Sequence, residues 1–252
     1  ASILHFPLAT ESPDTQFALF EDGALVVENE KIVAIGDYAK LHPLFGDANI
    51  VDYSGRWLIP GLIDSHLHFP QTEMIAKYGK QLLDWLENFT FPTENKFASA
   101  EYCDYIAEIF IRQLIDNGTT TALAYPTVHS QSVDALFKAA SARNMAIVTG
   151  KVCMDRNCPE QLQDTPESAQ RESANLIQKW HGKHRNLYAL TPRFAPTSSP
   201  AQLHALGELA QQFQDVFIQT HLSENTQEVE WVAKLYPEHT SYLNVYEHYN
   251  MV

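Results

Sequence analysis

Two histidines with one residue between them, His66 and His68, close the run Pro60-Gly-Leu-Ile-Asp-Ser-His-Leu-His68. Successive side chains of a strand point to opposite faces, so these two share a face. At the C-terminal end of a strand they can offer two imidazole nitrogens to one metal ion. Taken alone, such a pair more often only lines a polar strand end.

His221 and Glu224 form a second candidate, in His221-Leu-Ser-Glu224. The histidine is a possible third ligand, and the carboxylate can reach water on the metal. The plainer alternative is a glutamate in the first turn of a helix, where the dipole favours negative charge. Arg193 and Phe194 form a third, in Thr191-Pro-Arg-Phe194. A guanidinium offers a planar fork of donors to a carbonyl or carboxylate, and a phenyl ring can cover a flat heterocycle. Its plainer alternative is a surface salt bridge beside a core aromatic. The three gain weight from their shared position. Each follows a strand of one alternating series, on the edge where barrel enzymes place their active sites.

The elements that must position these residues are legible from Trp57 onward. Trp57 to Ile63 reads as a first buried strand. Tyr102, Tyr105, Ile106, Ile109, Phe110 and Leu114 recur at helical steps, and Gly118 would end that helix. Thr119 to Tyr125 reads as a strand, Ser132 to Arg143 as a helix, and Met145 to Val152 as a strand. Thr165-Pro166 opens a helix to about Trp180, and Leu187 to Pro192 is the next strand. Ser199-Pro-Ala-Gln202 reads as a capping box, Val216 to His221 as a strand, and Asn225 to Glu228 as another helix start. That is about five strands of a parallel α/β series, against the eight of a closed barrel. No glycine-rich dinucleotide fingerprint follows any of them, which counts against an open doubly wound sheet.

Residues 1 to about 58 differ. Phe17 to Phe20, Gly23 to Val27 and Lys31 to Ile35 are short apolar runs separated by Glu21-Asp-Gly23 and Asn29-Glu-Lys31. Runs punctuated in this way signal small antiparallel strands. The expected division is a small β portion over 1–58 and β/α units over 59–252.

Composition narrows the partners. The 252 residues carry 17 basic against 31 acidic side chains, a formal net charge of -14. No basic stripe is present to displace counterions from phosphates, which excludes a nucleic-acid binder, and long-range repulsion favours a neutral substrate over an anionic one. No run of 18 apolar residues and no basic-then-apolar leader occurs, so the expectation is a cytoplasmic protein without a membrane segment. Cys103, Cys153 and Cys158 are three in number and irregularly spaced, which reads as ordinary thiols. Of the remaining histidines, His129, His181, His184, His204 and His239 receive no role.

Pro60 to His68 resembles the first-strand motif of the amidohydrolase superfamily. The stretches Phe69-Pro-Gln71, Leu82-Leu-Asp-Trp-Leu86, Thr90-Phe-Pro-Thr-Glu94, Thr191-Pro-Arg-Phe-Ala-Pro196 and Thr220-His-Leu-Ser-Glu-Asn225 resemble its guanine deaminase family. That resemblance implies a (β/α)8 TIM-like barrel, incomplete in this chain, with a small β-sandwich portion. It implies one zinc held by His66, His68 and His221, with Glu224 moving protons. Gln71, Arg193, Phe194 and His221 then match the positions that meet the purine. The implied reaction is hydrolytic deamination of guanine to xanthine and ammonia, in a homodimer. A further histidine and an aspartate belong to later strands, and no position before Val252 matches them, so the expectation is an N-terminal part of such a protein. The rival readings are a relative acting on a triazine, cytosine or adenosine-like ring, or a non-catalytic barrel fragment. The cytidine-deaminase pattern, H-x-E followed by P-C-x-x-C, is absent.

Overall fold

The structure is a computed structural model that describes residues 1–7, 17–77 and 81–252, in two compact units, Ala1–Gly61 and Leu62–Val252. The first unit holds β1 (Ser2–His5), β2 (Ala18–Phe20), β3 (Gly23–Glu28), β4 (Lys31–Asp37) and β5 (Trp57–Leu58). β3 and β4 form an antiparallel hairpin that closes at Glu28 and Lys31. Its two turn residues, Asn29 and Glu30, both have positive φ (51° and 64°), the conformation that matches the natural twist of a tight hairpin. β1 pairs antiparallel with β2 and parallel with β5.

The second unit carries β6 (Leu62–His68), β7 (Thr119–Tyr125), β8 (Ala146–Thr149), β9 (Val152–Cys153), β10 (Asn186–Pro192) and β11 (Phe217–Ile218). The order β11-β10-β8-β7-β6 is parallel throughout, with β9 continuing the pairing against β10. Each strand lies beside its neighbour in sequence, the arrangement of a (β/α) barrel wall. Helices Ala100–Asp116, Ser130–Ala142, Pro166–Trp180 and Pro200–Gln212 separate these strands.

Local signals explain most of these boundaries. Ser99 caps the first helix by accepting the Tyr102 N–H, and Gly118, at φ 82°, supplies the left-handed turn after it. Thr165 and Ser168 form a reciprocal capping box with Pro166 in the first turn. The helices bury Ile106, Phe110, Ile111, Leu136, Phe137, Leu176, Leu203 and Leu206 against Ala122, Ala124, Ile147, Tyr188 and Leu190. Each large side chain so buried contributes roughly 1.5–3 kcal/mol before entropy is counted.

Four expectations need correction. Trp57 to Ile63 is not one buried strand. It breaks at Ile59-Pro60-Gly61, where proline has no N–H for a ladder, and Leu62 and Ile63 are 51% and 74% exposed. The strand expected over Met145 to Val152 is interrupted at Gly150. There the chain passes so close to β10 that a Cβ would lie 1.8 Å from the Ala189 carbonyl oxygen. Val216 to His221 contributes only β11 and a single later bridge between Phe194 and His221. Ser199 caps its helix by accepting the Gln202 N–H, but the Gln202 side chain has no partner among the described residues, so the box is one-sided.

Candidate metal centre

β6 and β11 stand at opposite ends of the strand order, yet the sheet curls far enough to bring their C-terminal ends together. His66 and His68 end β6, and His221 lies three residues past β11. One ligand nitrogen from each of the three falls within 4.8 Å of the others, the only such group of histidine, cysteine and acidic side chains among the described residues. The ring centroids are 5.0–5.2 Å apart, with His68 stacked on His221 and His66 edge-on to both. Asp64 accepts the His66 backbone N–H at 3.2 Å, which holds the strand end in place.

The hydrogen bonds decide which nitrogens are free. His221 Nδ1 lies 2.8 Å from the Arg193 carbonyl oxygen, and a carbonyl only accepts, so Nδ1 carries the proton. Nε2 of His221 therefore presents a lone pair, and it lies 3.1 Å from Nε2 of His68. Burial pushes His221 down to about 4, and burial followed by the Arg193 charge pushes His68 well below the usual histidine range. Neutral imidazoles oriented by a carbonyl are the form a divalent cation takes as ligands, and three of them suit zinc. The donor set fits such an ion.

Glu224 follows Ser223, a residue at φ 58°, and precedes the cap residue Asn225 of helix Thr226–Leu235. The buried carboxylate of Glu228 accepts the backbone N–H groups of Glu224 and Asn225 at 2.9 and 3.1 Å. It also accepts the Tyr242 hydroxyl at 2.6 Å. These contacts fix the short loop while the Glu224 carboxylate itself makes no hydrogen bond among the described residues. Partial burial, and then the Glu228 charge, raise the Glu224 carboxyl above its ordinary value.

Arg193 is buried, and its Nη1 donates to both oxygens of Glu94 at 2.8 Å. Phe194 is 4% exposed and packs with Leu86, Phe91, Tyr125, Met154 and Leu162, edge-on to Trp231. Gln71 lines a cleft of about 420 Å³ with His68, Trp85 and the helix residues Phe110 and Leu114, and none of Arg193, Phe194, His221 and Glu224 is part of that lining. Of the residues picked from the sequence, the three histidines are in mutual contact and Arg193 is hydrogen-bonded to His221, while Gln71, Phe194 and Glu224 each lie in the segment that follows a strand of the sheet.

Three residues around this site were not singled out in the sequence. Tyr125 stacks on His68 at 4.9 Å and lies 4.3 Å from His221, its buried hydroxyl unpartnered among the described residues. Burial raises its phenol. As the last residue of a predicted strand it occupies the same edge as His68, and that position was the available signal. Glu94 acts through Arg193, 99 residues away, and no local spacing marks it. Glu228 is visible in the sequence only as the capping-box partner of Asn225, not as the residue that holds the Glu224 loop. Cys103, Cys153 and Cys158 are free, and burial raises their thiols to about 12, 12 and 11, so all three stay protonated at neutral pH.

The sequence pattern of the amidohydrolase family matches residues 57–252. The chain belongs to the amidohydrolase family. Members of this family typically depend on a bound metal, and the three-imidazole group is placed to hold one. Among curated amidohydrolase relatives, it is 48% identical over 232 residues to guanine deaminase of Escherichia coli K12, an alignment covering 92% of this chain and 53% of that protein. A crystal structure of guanine deaminase from Bradyrhizobium japonicum superposes with a TM-score of 0.94 at 36% identity, covering 100% of this chain and 55% of that one. Guanine deaminase from C. acetobutylicum, with bound guanine in the active site, gives 0.82 at 28% identity over 99% of this chain and 58% of that one. The chain thus spans between 53% and 58% of the length of these relatives. No helix among the described residues is long and apolar enough to cross a membrane.

Proposed function

We propose that this chain supplies the metal-binding and proton-transferring part of a zinc-dependent enzyme that hydrolyses guanine to xanthine and ammonia. In this reading residues 1–58 belong to a small β-sandwich and 59–252 hold the first five or so β/α units. The protein acts in the cytoplasm as a homodimer on a free small molecule, without nucleic acid or membrane. The observation that carries the reading is the shared Arg193 carbonyl. It ties the oriented imidazole of His221 to the segment bearing the Arg193 guanidinium, so a metal ligand and a substrate clamp are held as one unit. The guanine deaminases among its relatives, one with guanine bound, support the same substrate.

His66, His68 and His221 would hold the ion, which when bound supplies a water nucleophile at neutral pH. Glu224 would take one proton of the water that adds to C2 of guanine. It would pass this proton to the adjacent ring nitrogen, then take the proton of the new C2 hydroxyl and deliver it to the departing amine. The C2–N bond breaks, a C2 carbonyl forms, and ammonia leaves. Arg193 donates to the ring carbonyl, Gln71 meets another polar edge, and Phe194 covers the ring. A raised Glu224 carboxyl suits a group that must both accept and return a proton.

The test is ammonia release from guanine, adenine, cytosine and melamine by the purified full-length protein. Turnover of guanine alone is expected. Turnover of melamine or cytosine with none of guanine would move the protein to another substrate class of the same family.

A further inference from the structure

Arg193 does not enter the site as a free cation. Its Nη1 is bound to both oxygens of Glu94, whose side chain is 1% exposed against 4% for the arginine. The guanidinium carbon also lies 5.4 Å from the centre of the Phe91 ring. A guanidinium has five N–H donors, and those of Nη1 face Glu94, leaving the two of Nη2 and the one of Nε. Neither Nη2 nor Nε makes a hydrogen bond among the described residues, and neither is among the sealed, unpartnered polar atoms. The fork is therefore half occupied.

The charge balance matters as much as the geometry. A buried, unpaired guanidinium attracts an anion, because leaving it uncompensated is costly. Once paired with a carboxylate, the unit is neutral and its remaining N–H groups suit an uncharged carbonyl. An anionic ligand brought to the same place would meet the Glu94 charge beyond a cation that is already compensated.

We propose that Glu94 is a specificity-determining positioning residue. By holding Nη1 it aims the other donors of Arg193 at a neutral ring carbonyl, and by cancelling the charge it makes the site reject anionic rings. The identity of that carbonyl rests on the guanine reading above; the charge effect does not.

The test compares wild type, Glu94→Gln and Glu94→Asp in the metal-loaded, full-length protein. Guanine kinetics are read beside calorimetric binding of hypoxanthine, a neutral oxopurine, and urate, an anionic one. Glu94→Gln is expected to raise KM for guanine about 10- to 100-fold, with kcat less affected, as for loss of a charged hydrogen-bond partner. The same variant is expected to bind urate about tenfold more tightly and hypoxanthine more weakly, a reversal that general loosening of the fold cannot produce. Parallel weakening of both ligands, or no change in either, overturns the proposal. Should Glu94→Gln not fold, Glu94→Asp keeps the charge but shortens its reach. It is expected to raise KM with no gain in urate binding; an unchanged KM or a gain in urate affinity overturns the proposal. A wild-type protein that releases no ammonia from guanine removes the guanine reading only, since the two calorimetric affinities still report the charge effect.

Discussion

The Arg193 carbonyl oxygen accepts two hydrogen bonds from His221, one from the backbone N–H at 3.1 Å and one from Nδ1 at 2.8 Å. The residue bearing the guanidinium thus fixes both the position and the tautomer of an imidazole that follows another strand. On the proposed function, that coupling would place substrate recognition and metal binding on one piece of backbone.

His221→Ala is expected to lower zinc from one equivalent per chain to well under half, because two imidazoles remain and the oriented one is gone. Metal analysis after dialysis against a weak chelator reads this directly. Arg193→Ala keeps the carbonyl, so it is expected to retain zinc while weakening guanine by about 1.5–3 kcal/mol. Equal metal loss in both variants would place the Arg193 side chain in the metal framework.

Glu224→Gln keeps the size of the side chain and removes its capacity to take a proton. Zinc content is expected to stay at the wild-type level while kcat falls by about 100- to 10,000-fold, the usual contribution of a positioned acid–base group. Wild-type turnover in that variant would remove the proton-transfer role.

What the sequence disclosed follows from the range of each interaction. Thr165-Pro166 and Asn225-Thr-Gln-Glu228 mark helix starts because a cap acts within three residues, and both boxes are formed. His66 and His68 were legible for the same reason, since a strand fixes the shared face of residues two apart. Long-range contacts were not legible. Glu94 meets Arg193 across 99 residues, and nothing near either one announces the pair. The break in the strand at Gly150 is set by the Ala189 carbonyl on a neighbouring strand, which local propensity does not register. Capping also showed its limit at Ser199, where the residue types allow a box but the Gln202 side chain does not reach back.

Glu228→Gln tests how the Glu224 loop is held. Glu228 accepts two backbone N–H groups and the Tyr242 hydroxyl, and a glutamine keeps only one acceptor oxygen. A stability loss of about 1–3 kcal/mol is expected for the acceptor left out. The charge change has a separate signature. The Glu228 carboxylate raises the Glu224 carboxyl, so removing it lets Glu224 release its proton at lower pH. The acid limb of kcat/KM is therefore expected to move to lower pH, and an unmoved limb would mean that Glu224 does not set it.

Lys151 is fully buried just past Gly150, and its ammonium lies 2.5 Å from the Asp164 carboxylate and 3.8 Å from Glu172. Lys151→Ala leaves the Asp164 charge buried without its partner, which typically costs about 3–5 kcal/mol. The double replacement Lys151→Met with Asp164→Leu removes both charges and is expected to recover most of that loss in denaturant titrations. The consequence for the site runs through the segment between the two residues. Met154, Cys158 and Leu162 pack in the same cluster as Phe194, the ring assigned to cover the substrate. Loosening that segment withdraws support from Phe194 but leaves His66, His68 and His221 untouched. Lys151→Ala is therefore expected to raise KM for guanine more than it lowers zinc content, and loss of zinc with an unchanged KM would show that the ion pair supports the metal ligands instead.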